Sequence, residues 1–220
     1  MGIISIDHAD RLYWLGRYTE RVYTTARMYS EGFDAMIDEE VDSYPAYCEK
    51  IDIPNIYTDK DDFMYRYPYD RENPDSIISN LYRAYNNAIE LRETIGSEAQ
   101  SYIQLAIYDM NKASLNPAPL IEMQKLIDNL MAFWGIIDDC IDSLQIRNLL
   151  KAGKRIERID IYARMGLPPE KLLREVKRLI PRVRDCGIGY DENKLNSLGA
   201  LITAPSPDYY KIVRTVDSII

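Results

Sequence analysis

Histidine is almost missing from this sequence, with His8 standing alone among 220 residues. A Ser-His-Asp or Cys-His catalytic arrangement would have to use that one residue, close to the N-terminus and without an orienting motif around it. Cysteine is scarce as well. Cys48, Cys140 and Cys186 are far apart, odd in number and without a Cys-x-x-Cys spacing. They read as free thiols of a reducing compartment, and no His/Cys cluster suits zinc. No apolar run approaches the ~18 residues that span a bilayer. The stretch from Met1 to Asp10 lacks the basic and apolar order of a signal peptide. No strand alternation is visible, so no Gly-rich phosphate loop follows a strand. A cytoplasmic chain with no membrane contact, no metal and no cofactor is the resulting expectation. Positive charge is also in deficit: 27 Lys and Arg against 35 Asp and Glu leave a net charge of -8. That balance argues against broad, nonspecific nucleic-acid binding, which relies on clustered Lys and Arg facing phosphate.

What is present suits a globular helical protein. Hydrophobic residues make up 46% and charged residues 28%, enough to bury a core. Tyrosine is in excess, 18 against 3 Phe and 2 Trp. With an apolar body and a polar tip, these rings are expected to line helix edges. From Asp7 to about Ile37, Leu12, Leu15, Val22 and Ala26 recur at helical spacing, with Asp7 or Asp10 as cap. Residues 43–72 hold Pro45, Pro54, Pro68, many tyrosines and an acidic run, and read as an irregular insert of short helices and loops. Asn73-Pro74 reads as a helix start, Asn73 as N-cap and Pro74 at the first helical position. Ile77 to Ile95 then gives an apolar stripe, broken at Gly96, with Ser97 as the next cap. Asn116-Pro117-Ala118-Pro119 reads as a linker. Helices over about 120–144 and 145–165 follow, the second ended by Gly166 and Pro168-Pro169. Shorter helices complete residues 166–220, the first limited by Pro181. Helix after helix with short turns predicts a single all-α domain over 1–220, a helical bundle.

Two segments match each other. Residues 16–28 read GRYTERVYTTARM and residues 153–165 read GKRIERIDIYARM, with six of thirteen positions identical. The shared residues are Gly16/Gly153, Glu20/Glu157, Arg21/Arg158, Ala26/Ala163, Arg27/Arg164 and Met28/Met165, and Arg17 matches Lys154 in charge. The copies predict two equivalent helices in a pseudo-symmetric bundle. At about 100° per residue, Gly16, Glu20 and Arg27 fall on nearly one line. Arg17 lies three residues from Glu20, within pairing range. A glycine inside a helix costs about 0.5–1 kcal/mol relative to Ala, so its use at the same place twice points to close helix approach or an open groove floor. In the first copy the Glu20 line lies opposite the apolar stripe, as a solvated face would. In the second, Leu150 and Ile161 flank Glu157, where an unpaired carboxylate is costly. Two readings stand. Either Glu20 and Glu157 bridge to arginines across the pseudo-twofold and fix helix register, or the same cluster opens to a cleft and binds a charged ligand.

The blocks Asp10-Arg-Leu-Tyr-Trp-Leu-Gly-Arg-Tyr-Thr-Glu-Arg21, Asn73-Pro74-Asp75-Ser76-Ile77, Asn87-Ala88 through Arg92, Ser97-Glu98 and Gly153 through Arg164 resemble the alpha-E domain family, over most of residues 7–166. The resemblance implies an all-α fold and a bacterial or archaeal cytoplasmic protein. It also implies work beside a circularly permuted ATP-grasp protein or a transglutaminase-like protein, in making or modifying peptides or amide bonds. The chain departs from the family where Tyr85 and Ile89 replace arginines and where Ala99-Gln100 replaces Met-Trp. On this basis Arg17, Glu20, Arg21, Arg27, Asn87, Glu157, Arg158 and Arg164 are the candidate ligand-binding residues, for a small charged or peptide ligand held by Arg and Glu side chains. The alternatives are an enzyme acting on amide or peptide substrates with Glu20 or Glu157 as general base, and a purely structural interaction module.

Two further patterns stand outside these blocks. Asp138-Asp139-Cys140-Ile141-Asp142 spells DDxxD, with Asp138 and Asp142 on one helix face, as in magnesium-diphosphate sites. A solvated acidic helix end explains it more simply. The helix from Glu170 to Arg184 is basic and amphipathic and reads as a surface helix or as a docking face for an acidic partner or RNA.

Overall fold

The computed structural model describes residues 5–38, 44–116 and 119–220. Among them the chain forms ten helices and no strand. These are α1 (Ile6–Asp38), α2 (Tyr44–Ile51), α3 (Lys60–Tyr69), α4 (Ile77–Glu90), α5 (Arg92–Ala113), α6 (Pro119–Cys140), α7 (Leu144–Arg164), α8 (Pro169–Arg184), α9 (Glu192–Ile202) and α10 (Tyr209–Asp217). The fold is all-α, and no described helix is long and apolar enough to cross a membrane. The chain divides into two compact units. One holds residues 1–20 and 142–220, and the other holds residues 21–141.

The first unit is built from the N-terminal part of α1 with α7 to α10. Ser143 caps α7, its hydroxyl accepting from the Ile146 amide at 3.4 Å. Asp191 and Asp208 cap α9 and α10, each accepting a backbone N–H at 3.0 Å. Leu12, Leu15, Leu149, Leu150, Ile156 and Ile159 are all fully buried. α8 packs on α7, and α10 packs on α7 and α9. Pro181 does not limit α8, which runs on to Arg184. Leu172, Val176, Leu179 and Val183 are buried along it. Their packing outweighs the hydrogen bond lost at proline.

The second unit holds the rest of α1 with α2 to α6. α4, α5 and α6 pack in sequence order. α4 starts later than the Asn73-Pro74 pair suggests. Its cap is Ser76, which accepts from the Ser79 amide at 3.1 Å. Asn73 is drawn into other bonds, accepting from the Asp75 amide at 2.9 Å and donating to the Tyr57 hydroxyl at 3.0 Å. α1 already includes Asp7 and Asp10, so neither caps it. α5 is kinked at Gly96, whose φ of 84° suits glycine. α6 ends at Cys140, which leaves Asp142 outside the helix and breaks the face it was expected to share with Asp138. Among the described residues, no group of three His, Cys, Asp or Glu is placed to hold a metal ion. Ser43 and the linker residues Pro117 and Ala118 fall outside the described residues.

The Tyr- and Pro-rich insert is built around aromatic packing. Phe63 stacks on Tyr67 with centroids 5.1 Å apart, stacks on Tyr44 at 5.5 Å and meets Tyr57 edge-on at 5.0 Å. Tyr44, Tyr57 and Tyr67 are therefore buried rather than spread along helix edges. The Tyr47 and Tyr67 hydroxyls lie 3.2 Å apart, which pairs polar tips that burial would otherwise strand. Phe63→Ala is expected to cost about 3–5 kcal/mol in urea unfolding. A loss below about 1 kcal/mol would mean that Phe63 does not organise this segment.

Candidate functional site

In the first unit α1 and α7 meet backbone to backbone. A Cβ on Gly16 would lie 2.1 Å from the Leu150 carbonyl oxygen, and a Cβ on Gly153 would lie 2.2 Å from the Tyr13 carbonyl oxygen. Leu150 and Tyr13 each stand three residues before the opposing glycine, so the contact is reciprocal and the two repeats face each other. Of the two roles open to these glycines, close helix approach is the one observed.

The approach brings the motif side chains across the seam. Arg17 Nε donates to Glu157 Oε2 at 2.6 Å, and Arg158 Nε donates to Glu20 Oε1 at 2.5 Å. Arg17 does not turn back to Glu20 on its own helix. Glu20 is 0% exposed and Glu157 1%, which rules out a solvated first copy. Carboxylates this deep need guanidinium partners to offset lost hydration. Arg17 is held on several sides. Its guanidinium lies 2.9 Å from Asp217 Oδ1, 3.5 Å from Asp160 Oδ2 and 5.1 Å from the Trp14 ring centroid. Asp160 also accepts from Arg164 Nε. Burial, then the charges of Glu157 and Asp217, raise the Asp160 carboxyl to about 6 against the pull of Arg164.

The repeat is asymmetric at one charged pair. Lys154 stands where the first copy has Arg17, and its charge faces Glu20 as Arg17 faces Glu157. Arg158 also bonds Glu20, from its Nε. Burial, opposed by Glu20 and assisted by Arg158, Arg155 and Lys151, lowers the Lys154 amine to about 7. Beside it Arg155 donates to Glu175 of α8 at 2.6 Å. Glu175 is fully buried and also faces Arg178 at 2.9 Å and Arg174 at 3.6 Å. The basic helix seen in the sequence is thus tied to α7 through an acidic residue within it. Lys154, Arg155, Asp160, Glu175 and Asp217 were not among the sequence candidates. The alignment of Lys154 with Arg17 was the one available signal.

The remaining candidates lie elsewhere. Arg21, Arg27 and Asn87 belong to the second unit. The Arg21 carbonyl accepts from the Thr25 hydroxyl at 2.7 Å. Arg27, half exposed, pairs with Glu31 at 2.7 Å on its own helix. Asn87 sits half-buried on α4, with its carbonyl bonded to the Leu91 amide.

A family model described as a predicted alpha-helical domain with a conserved ER motif, Alpha-E, matches residues 8–175. The chain belongs to the Alpha-E family. No curated protein and no solved structure matches it. The Glu-Arg pairs at 20–21 and 157–158 both fall inside the matched Alpha-E span, and the matched residues include Lys154 and Glu175.

Two outcomes test the Alpha-E crossing. Gly16→Ala or Gly153→Ala adds a methyl against a backbone carbonyl, and is expected to cost about 1–3 kcal/mol despite alanine's better helix propensity. Equal or greater stability in denaturant unfolding would contradict the close approach. Lys154 loses its proton at about 7 in the folded chain, against an ordinary 10.5. The unfolded chain binds more protons across that window, so stability rises with pH from about 7 toward 10 and is lower below it. Lys154→Met is expected to flatten this rise in thermal unfolding. Parallel pH curves for the two proteins would contradict the shift.

Proposed function

We propose that this chain is an accessory, ligand-holding domain that works beside an ATP-grasp-type or transglutaminase-like protein in forming or modifying peptide or other amide bonds. Its ligand is an acidic peptide segment. The observation that carries the binding role is the clustering of cations where α7 meets α8. Lys151, Lys154, Arg155, Arg158, Arg174 and Arg178 gather around two bonded carboxylates, Glu20 and Glu175. In a chain of net charge -8, such a focus attracts anions and orients them. The Lys154 amine, lowered to about 7, fits the same role, because an arriving carboxylate adds negative charge that raises it again. The buried pairs Arg17–Glu157 and Glu20–Arg158 form the frame beneath, and the guanidinium edges of Arg155 and Arg158 are the binding groups.

The alternative, an enzyme with Glu20 or Glu157 as general base, requires substrate to reach those carboxylates. Both are sealed by their arginine partners, and this favours binding over catalysis. The test is calorimetry at pH 8 with tri-glutamate and tri-glutamine in buffers of different ionisation enthalpy. Tri-glutamate is expected to bind with proton uptake, and Arg155→Ala to bind about tenfold more weakly, ~1.4 kcal/mol. Lys154→Met abolishes the proton uptake. Equal binding of tri-glutamine, or no binding of either peptide at low salt, would overturn the reading.

A further inference from the structure

A second cationic site lies in the other unit. Arg71, Glu72 and Pro74, from the turn between α3 and α4, and Ser79, Tyr82 and Arg83, from α4, line an open cleft of about 420 Å³. The cleft is held in shape by local bonds. The Ser79 hydroxyl donates to the Arg71 carbonyl at 3.0 Å, which ties the turn to the first turn of α4. The Arg71 guanidinium lies 4.8 Å from the Tyr82 ring centroid and donates through Nη2 to Asn111 Oδ1 at 2.7 Å. Ring and amide fix the plane of the guanidinium without neutralising it. Among the described residues, Arg71 has no carboxylate within ion-pair distance. Arg83, one residue beyond Tyr82, supplies a second guanidinium, with Nη1 directed to Asn80 Oδ1 at 3.3 Å. Glu72 is exposed on the same lining.

We propose that this cleft binds a monoanionic carboxylate, the free C-terminus or an acidic side chain of a peptide. A positioned guanidinium with open N–H groups takes a carboxylate through two parallel hydrogen bonds. The Glu72 carboxylate on the same lining favours a singly charged partner for Arg71. A dianionic phosphate meets repulsion from Glu72 and less compensation. Pro74 and the edge of Tyr82 offer apolar contact to the residue that carries the acid, so a peptide carboxylate is favoured over a bare inorganic anion. The cleft shares no residue with the α7–α8 cluster, so the two sites succeed or fail separately.

The test is an NMR titration of the full chain, read at the arginine Nε–H signals. The probes are N-acetyl-Ala-Ala with a free C-terminus, its C-terminal amide and inorganic phosphate. The free acid is expected to shift the Arg71 signal saturably and the amide to leave it unmoved. Arg71→Gln, an exposed substitution checked for retained helicity, weakens acid binding at least about tenfold. Arg83→Gln weakens it less. Glu72→Gln strengthens phosphate more than it strengthens the peptide acid, a response that a merely structural role for Glu72 would not give. Equal binding of the amide would overturn the proposal. So would unchanged binding in Arg71→Gln, phosphate binding more tightly than the peptide acid, or no saturable shift with any probe.

Discussion

The first unit depends on two helices touching where neither has a side chain. At Gly16 and Gly153 the space for a Cβ is already filled by the opposing backbone, so the charged positions one turn later are drawn into the seam. There Glu20 and Glu157 lose water and are stabilised by the other helix's arginine. The glycines set the distance, and the Glu-Arg pairs then reject any register that strands a buried carboxylate. A glycine in midhelix costs propensity. Here that cost is offset by an ion-pair geometry that a wider crossing would not reach.

The same seam generates the chemistry assigned to the site. Were the repeats identical, each Glu would face an Arg like Arg17, wrapped by acids and a Trp ring. Lysine at 154 breaks that symmetry. Its amine lies in the field of Arg155, Arg158 and Lys151, opposed by Glu20, which also bonds Arg158. The second copy therefore gathers cations around Lys154, while in the first copy Arg17 is enclosed by Glu157, Asp160 and Asp217. Glu175 extends the positive focus onto α8 by holding Arg155 and Arg178 at once.

Much of the helical architecture could be read from the chain, because 3.6-residue periodicity and proline or glycine punctuation are local signals. Gly166 and Pro169 mark the end of α7 and the start of α8 close to where they fall. Local signals failed where a distant partner decided the outcome. Asn73 looked like a cap, but Tyr57 and Asp75 engage its side chain. Pro181 looked like a stop, but the buried stripe of α8 carries the helix past it. Glu20 looked solvated because it lies off the apolar stripe of α1, and a face buried through glycine carries no hydrophobic mark. Glu175 and Asp217 were invisible as partners of α7 and α1, since nothing near them in sequence points there. The repeat did better than the periodicity, because two matched segments are long-range information in themselves.

The most direct measurement is a double-mutant cycle on Glu20 and Arg158, using Glu20→Gln and Arg158→Met singly and together in denaturant unfolding. If the crossing buries this pair as described, each single change is costly and the two are coupled by about 1–3 kcal/mol, the double variant recovering part of the loss. Additive effects, with coupling near zero, would mean that the two side chains do not meet, and would contradict the account from the glycine seam upward.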